Sequence, residues 1–375
     1  MRRQRRYDES LRIYDRALKL DPQNAKCFQS RGELFTEIKR TEDAFRDFDR
    51  ALAINPKYRD PLWAKGFTYL MIGEFDKGWD LYDYRFEQSN KQTGELKTTK
   101  PRWTPAHVTD PVLVWSEQGI GDELFFAQWL GRAHEIGREV VVAADSRLIA
   151  AYARSFQNVR FLDKAALIPE SLYGSHLPLG SLPKALRDLG IDWRTNKKIP
   201  YLRDDARHTT SLKNKLARNG KRICGITWRS ARPELGPEKS LTLAELLPLL
   251  QLPGYTFVNL QYGDTAQELA KFRADTGIDI VTHPEIDNFK NLNHHISLVA
   301  ACDELVLACN ATAHVAGAMG RRAHLLTPRG KSLIWYWANR NENRSLWYPS
   351  IELFDQSEQF SWQSSIDRIA AKLST

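Results

Sequence analysis

Apolar and polar positions change rhythm along this chain. Up to about residue 88 the apolar residues return at helical spacing, with short polar turns between runs. Residues 7–20 predict one helix, 25–54 a helix pair and 59–88 a second pair. Residues 89–110 are polar and punctuated by Gly and Pro, which predicts a linker. Beyond it, short β-rich runs alternate with helical stretches. The runs are 112–115, 140–143, 223–228, 256–261, 278–282, 304–308 and 323–327, with a helix over 123–136. Such alternation predicts parallel sheets in two doubly wound lobes, 111–205 and 220–350, with a hinge near 205–220 and a tail over 351–375.

The helical part repeats itself. Ala17-Leu18-x-Leu20-Asp21-Pro22 returns as Ala51-Leu52-x-Ile54-Asn55-Pro56, a shift of 34 positions. Gly32 returns at Gly66 and Phe45 at Trp79 with the same shift. Small, aromatic and Pro markers at this period are the signature of tetratricopeptide (TPR) repeats. Ala17 and Ala51 let helices approach, and Pro22 and Pro56 end the second helix of each pair. Residues 1–88 supply about two and a half repeats, whereas such solenoids take about three and a polar cap. The platform therefore leans on the body behind it or belongs to a longer array. The expected fold class is α/β, two Rossmann-like doubly wound lobes preceded by an all-α TPR segment.

Composition narrows the partners. The net charge of +8 favours anionic ones: nucleic acid, an anionic membrane surface or phosphorylated small molecules. No nucleic-acid motif is present, and the basic residues are dispersed apart from Arg2-Arg3-x-Arg5-Arg6, so nucleic acid is set aside. Apolar runs such as 140–144 fall far short of the roughly 18 residues of a membrane helix, which leaves only peripheral membrane contact. The basic start has no apolar stretch behind it, unlike a secretory signal. Cys27, Cys224, Cys302 and Cys309 lack C-x-x-C spacing, which suits a reducing cytoplasm and argues against zinc or disulfides.

Four loops are candidates for chemistry. Glu117-Gln118-Gly119-Ile120-Gly121-Asp122 follows the first strand and opens a helix. Its glycines let backbone approach a ligand, and Asp122 sits at or near the helix N-cap, either as cap or as reactive carboxylate. Thr227-Trp228-Arg229-Ser230, with Lys239 and Ser240 downstream, offers hydroxyls and cations to a diphosphate, or is a solvated basic loop. Asn310-x-Thr312-x-His314-x-x-Gly317 begins a helix after a strand, where amides face a phosphate; His314 is a ligand contact or a core histidine. Trp335, Tyr336, Trp337, Arg344, Trp347 and Tyr348 either stack a ring or pack under a loop. The acidic pair Asp47-x-Asp49 has metal-binding D-x-D spacing but falls mid-helix, on an expected solvated face, so no metal is expected.

Together these residues resemble bacterial TPR-linked glycosyltransferases related to family 9, heptosyltransferase-like enzymes of the two-lobed GT-B fold. The resemblance runs in order through Gly78-Trp79-x-x-Tyr82-x-Tyr84-Arg85-Phe86, Pro101-Arg102-Trp103, Glu117-Gln118-Gly119-x-Gly121-Asp122 and Pro178-x-x-Ser181-x-Pro183. It continues through Gly225-x-Thr227-Trp228, Gln261-Tyr262-Gly263, the stretch 310–320 and Trp347-Tyr348-Pro349. It implies that Asp122 deprotonates an acceptor hydroxyl. It also implies that the nucleotide diphosphate sits on the second lobe against 227–230, Lys239, Gln261, Tyr262 and 310–314. The first lobe would hold the acceptor, with Glu117, Gln118, His176 and Ser181 as weaker candidates there, and a helix over 362–373 would cross back to it. Members often carry Asp at the position of Cys309 to bind donor-sugar hydroxyls; a thiol accepts such bonds poorly, which argues against heptose.

The resemblance therefore implies an inverting, metal-independent glycosyltransferase that needs no cofactor. A nucleotide sugar is the donor, a glycan or protein hydroxyl the acceptor, and the TPR part binds a protein partner. Two alternatives stand beside it: a protein O-glycosyltransferase similar to O-linked N-acetylglucosamine transferases, and a TPR interaction scaffold with an inactive body.

Overall fold

The computed structural model describes residues 2–90, 93–106, 110–137, 139–194, 200–217, 220–230 and 236–374. Parts of the expected linker (91–92, 107–109) and hinge (218–219) lie outside the described residues. The chain forms two compact units. One joins Met1–Lys97 to Arg329–Arg340 and Ser357–Ser361; the other holds Thr98–Pro328, Asn341–Gln356 and Trp362–Thr375.

The first unit begins with α1 (Arg2–Leu20), then α2 (Ala25–Glu37) with α3 (Thr41–Ile54), and α4 (Asp60–Met71) with α5 (Phe75–Tyr82). α3 and α5 start at 41 and 75, the 34-residue shift seen in the sequence. Phe35, Ala44, Phe48 and Ala64 form the core between helices. Asp47 is not on a solvated face: it is 6% exposed and accepts two 2.7 Å hydrogen bonds from the Arg31 guanidinium. The alternation of helix faces hid this because a buried bidentate ion pair reads like any charged position.

The second unit opens with Pro101–Trp103 laid along a sheet rather than looping free. Trp103 is buried and its indole donates to the Ile136 carbonyl at 2.7 Å, while Arg102 bridges to His176. The first lobe follows: β1 (Val112–Trp115), α6 (Ile120–Phe126), β2 (Val140–Ala144), α7 (Ser146–Ser155), β3 (Arg160–Asp163), β4 (Ser175–Pro178) and α8 (Leu182–Asp188). The strands are parallel in the order β3-β2-β1-β4. β1 and β2 are apolar and buried on both faces, as central parallel strands must be. The expected helix over 123–136 instead starts at Ile120 and tightens into a 3₁₀ helix over Ala127–Glu135.

α9 (Ala206–Leu216) leads into the second lobe. There follow β5 (Arg222–Ile226), the one-turn helices α10 (Gly236–Lys239) and α11 (Leu247–Leu250), β6 (Tyr255–Asn259), α12 (Ala266–Thr276), α13 (Leu292–Ala301), β7 (Glu304–Ala308), α14 (Ala311–Ala318) and β8 (Ala323–Thr327). The chain then enters the first unit through α15 (Trp335–Ala338) and returns as β9 (Arg340–Asn341), β10 (Arg344–Ser345), β11 (Ile351–Asp355) and α16 (Gln363–Leu373). The sheet order is β6-β5-β7-β8-β11-β10-β9, parallel from β6 to β11 and antiparallel at β10.

Three further expectations change. Residues 278–282 contribute one bridge, Val258 to Val281, instead of a strand. The aromatic segment expected in the second lobe divides: Trp335 packs edge-on against Trp79 at 5.4 Å in the helical unit, and Asn339 donates to the Leu70 carbonyl there. The tail supplies β11, and α16 stays on the second lobe, where Ile366, Ile369 and Leu373 pack with Leu246 and Leu249. Among the described residues no helix is long and apolar enough to cross a membrane.

Candidate active site

In the first lobe, the chain turns from β1 into α6 through Ser116–Gly119. Gly119 is the N-cap, in extended conformation with no side-chain cap, so Asp122 stands in the first turn as the third helical residue rather than at the cap. Its Oδ2 lies 3.6 Å from where a Cβ on Gly119 would be, so the carboxylate folds back over the positive helix end. The neighbouring Glu123, not singled out by sequence, is buried to 1%. It accepts from Ser116 Oγ at 2.5 Å, Lys164 Nζ at 2.9 Å and the Asp145 amide at 2.9 Å. That carboxylate fastens the turn to the ends of β2 and β3.

The weaker acceptor-side candidates brace the same turn. Glu117 accepts the Gly180 amide at 3.2 Å, and Gln118 donates to Glu117 at 3.2 Å. His176 Nδ1 accepts the Trp115 indole N–H at 3.1 Å, which fixes that nitrogen as unprotonated. Ser181 accepts from Arg102 at 3.3 Å.

In the second lobe, several expected donor contacts build the loops rather than line them. Thr227 is fully buried and its hydroxyl accepts the Ala308 amide at 3.1 Å. Trp228 is also fully buried and donates its indole N–H to Glu268. Gln261, 2% exposed, uses its carboxamide oxygen to accept both the Trp228 and Arg229 amides, at 3.1 and 2.9 Å. Arg229 turns to α12, pairing with Glu268 and donating to the Asp264 carbonyl at 2.8 Å. Ser240 accepts the Ser230 amide at 3.1 Å and donates to the Gly236 carbonyl. Tyr262 remains half-buried, its ring centroid 6.3 Å from that of Phe289.

Asn310 caps α14 with its own side chain on the Thr312 amide at 3.0 Å, and its Nδ2 donates to the Arg229 carbonyl at 3.2 Å. The Thr312 hydroxyl meets buried His295 at 3.1 Å. Gly317 is needed for a reason the sequence did not give: a Cβ there would stand 2.3 Å from the Tyr348 ring. Cys309 is buried and donates its thiol to the Leu326 carbonyl at 3.4 Å; burial pushes its pKa up to about 12. Lys239 is 4% exposed, and its charge acts on both Cys309 and His314.

These two loops meet. A Cβ on Gly121 would stand 3.3 Å from His314 Cδ2, 3.6 Å from its Nε2 and 3.9 Å from Ala311 Cα. The first turns of α6 and α14 thus touch at the carboxyl ends of β1 and β7, where parallel α/β sheets bind ligands. His314 is 2% exposed, and burial, then the Lys239 charge, pushes its pKa down to about 3. Beside the seam, α7 holds α13 and the loop before it: Arg154 donates to Asn293 Oδ1 at 2.7 Å, and Arg147 donates to the Phe289 carbonyl at 3.1 Å. The arrangement brings a carboxylate, two helix starts and a buried lysine to one seam. Among the described residues no His, Cys, Asp and Glu group is arranged to hold a metal ion.

No protein-family model matches the chain. Protein FlbA of Caulobacter vibrioides is 25% identical over 386 residues, covering 97% of this chain; the chain spans 64% of that relative's length. Among solved structures, the glycosyl transferase family 9 protein of Veillonella parvula overlaps with a TM-score of 0.49 at 10% identity, over 70% of this chain and 92% of that one. The E. coli ADP-heptose lipopolysaccharide heptosyltransferase II overlaps at 0.43 and 13% identity, over 70% and 97%. A mutant O-GlcNAc transferase of Thermobaculum terrenum overlaps at 0.36 and 13% identity, over 99% and 87%.

Proposed function

We propose that this chain is an inverting, metal-independent glycosyltransferase that moves a sugar from a nucleotide-diphosphate donor to a hydroxyl of a glycan or protein. The observation that carries the reading is the meeting of the Asp122 turn with the Ala311–His314 turn, one from each lobe, at the carboxyl ends of both sheets. In this reading the acceptor hydroxyl gives its proton to Asp122 as its oxygen attacks the anomeric carbon from the face opposite the diphosphate. The bond from that carbon to the phosphate oxygen breaks, and the α14 amides with Lys239 receive the departing charge. The helical unit, read as TPR repeats, holds a protein partner or the acceptor.

Cys309 supports a second reading, an interaction scaffold with an inactive body, because its buried thiol is turned to β8 and offers no acceptor to a sugar. Thermal-shift measurement against a panel of nucleotide sugars separates the two. One stabilising donor, with turnover lost in Asp122→Asn while donor binding persists, supports transfer. Full activity in Asp122→Asn removes that residue from the mechanism, and no shift with any donor favours the scaffold.

A further inference from the structure

A closed circuit of hydrogen bonds joins the three turns that leave the carboxyl ends of β5, β6 and β7. The Arg229 amide donates to Gln261 Oε1 at 2.9 Å. Asn288 Nδ2 donates to the Asn259 and Gln261 carbonyls, both at 3.1 Å, and Asn288 Oδ1 lies 2.9 Å from His295 Nδ1. His295 Nε2 lies 3.1 Å from the Thr312 hydroxyl. The Thr312 amide donates to Asn310 Oδ1 at 3.0 Å, and Asn310 Nδ2 returns to the Arg229 carbonyl at 3.2 Å. Gln261, His295 and Thr312 are buried. The circuit has one polarity. Both partners of the Asn288 nitrogen are carbonyls, which only accept, so the amide oxygen is the atom that faces His295. That oxygen carries no proton, so His295 Nδ1 has to bring one. Burial keeps the imidazole neutral, with a pKa pushed down to about 4, which leaves Nε2 bare to accept the Thr312 proton. The other tautomer would set lone pair against lone pair at Asn288.

We infer that Asn288 and His295 are positioning residues that hold these three turns in one arrangement, with His295 fixed in its Nδ1–H tautomer. Arg229 gives the circuit both its amide and its carbonyl, so a shift of the turn after β5 strains a bond to Gln261 or to Asn310. A buried polar circuit in which every member is satisfied rigidifies what it joins. Here it joins the strand ends where parallel α/β sheets bind ligands, without itself touching one. The consequence for donor binding rests on the glycosyl-transfer reading, in which the diphosphate meets the start of α14; the circuit and the tautomer do not.

Ring-nitrogen NMR of the full chain, ¹⁵N-labelled at histidine, tests the circuit, with His295→Gln assigning the signal. At neutral pH the expected spectrum has a protonated-type Nδ1 and a bare-type Nε2; a protonated-type Nε2 in the wild type overturns the inference. Asn288→Ala removes the acceptor of the Nδ1 proton and should move population toward the Nε2–H tautomer. An unchanged tautomer in the folded variant overturns the positioning role. Calorimetric titration with UDP, ADP and GDP then reads the turns. Whichever of these the wild type binds should bind folded Asn288→Ala about tenfold more weakly, the scale of one lost hydrogen bond. Equal affinity overturns the positioning of the donor turns. Binding of none of the three by the wild type overturns the transfer reading and the ligand consequence with it, while the wild-type spectrum still upholds or overturns the circuit.

Discussion

The carboxylate of Glu268 holds the guanidinium of Arg229 in an ion pair and accepts the Trp228 indole N–H at 2.9 Å. Arg229 is thus compensated on α12, and its charge is not held ready for a diphosphate. Both side chains are about one-third exposed (33% and 34%), so solvent screening keeps the pair's worth small. Arg229→Ala should therefore lower stability by about 1 kcal/mol or less and change nucleoside-diphosphate affinity by no more than about threefold. Calorimetric titration with UDP, ADP and GDP checks this. Loss of binding in a variant of undiminished stability would return Arg229 to the donor site.

Glu123 should matter more to the fold. Its side chain has no exposed surface, and Lys164, Ser116 and the Asp145 amide all depend on it. Removing one partner of a buried pair leaves the others unsatisfied, so Glu123→Ala should cost about 3 kcal/mol. Lys164→Met should cost less, because the lysine is 28% exposed and its removal leaves two donors on the carboxylate. Urea unfolding of both single variants and the double variant measures the coupling; additive losses would show that the two residues act independently.

The seam has little room. A Cβ at Gly121 would meet His314 at 3.3 Å, tighter than ordinary packing, whereas nothing lies within 4 Å of one at Gly131. Gly121→Val should lose about 1–3 kcal/mol through overpacking, and Gly131→Ala should stay near wild type. Thermal unfolding compares them. Equal melting temperatures for Gly121→Val and the wild type would mean that the two turns do not press together in solution.

The parts of this architecture legible in sequence are those with a local signal. Strands 112–115, 304–308 and 323–327 are legible to the residue because they are buried along their whole length and mostly apolar, with Glu304, His324 and Thr327 as the polar exceptions. β3 carries no such mark, because its residues are exposed or half-buried. β9 and β10 are too short for any period. At the site, Asp122 and His314 could be singled out from their places after strands, but what each touches could not. Tyr348 lies 34 residues beyond His314 and Glu268 lies 39 beyond Arg229. The periods of helix and strand do not reach so far, and cations and aromatics beside a strand end look alike whether they meet a ligand or each other.

Two buried imidazoles predict how the second unit responds to acid. His295 lies between Asn288 Oδ1 at 2.9 Å and Thr312 Oγ1 at 3.1 Å, and burial pushes its pKa down to about 4; His314 is pushed to about 3. In the unfolded chain both return to about 6.5. Above that value neither group distinguishes folded from unfolded. As pH falls below it, the unfolded state takes up protons that the folded state refuses, so stability drops until the folded pKa values are passed. By pH 5 each imidazole should have removed about 2 kcal/mol relative to pH 7.5. Urea unfolding at pH 7.5, 6 and 5 should give a loss in the wild type that is about 2 kcal/mol larger than in His295→Gln, which keeps side-chain hydrogen bonding without titrating. Parallel profiles for the two proteins would mean that His295 takes up its proton as readily in the fold as in the unfolded chain, and would require a carboxylate or an opening near α13 that the packing around Asn288 and Thr312 does not provide.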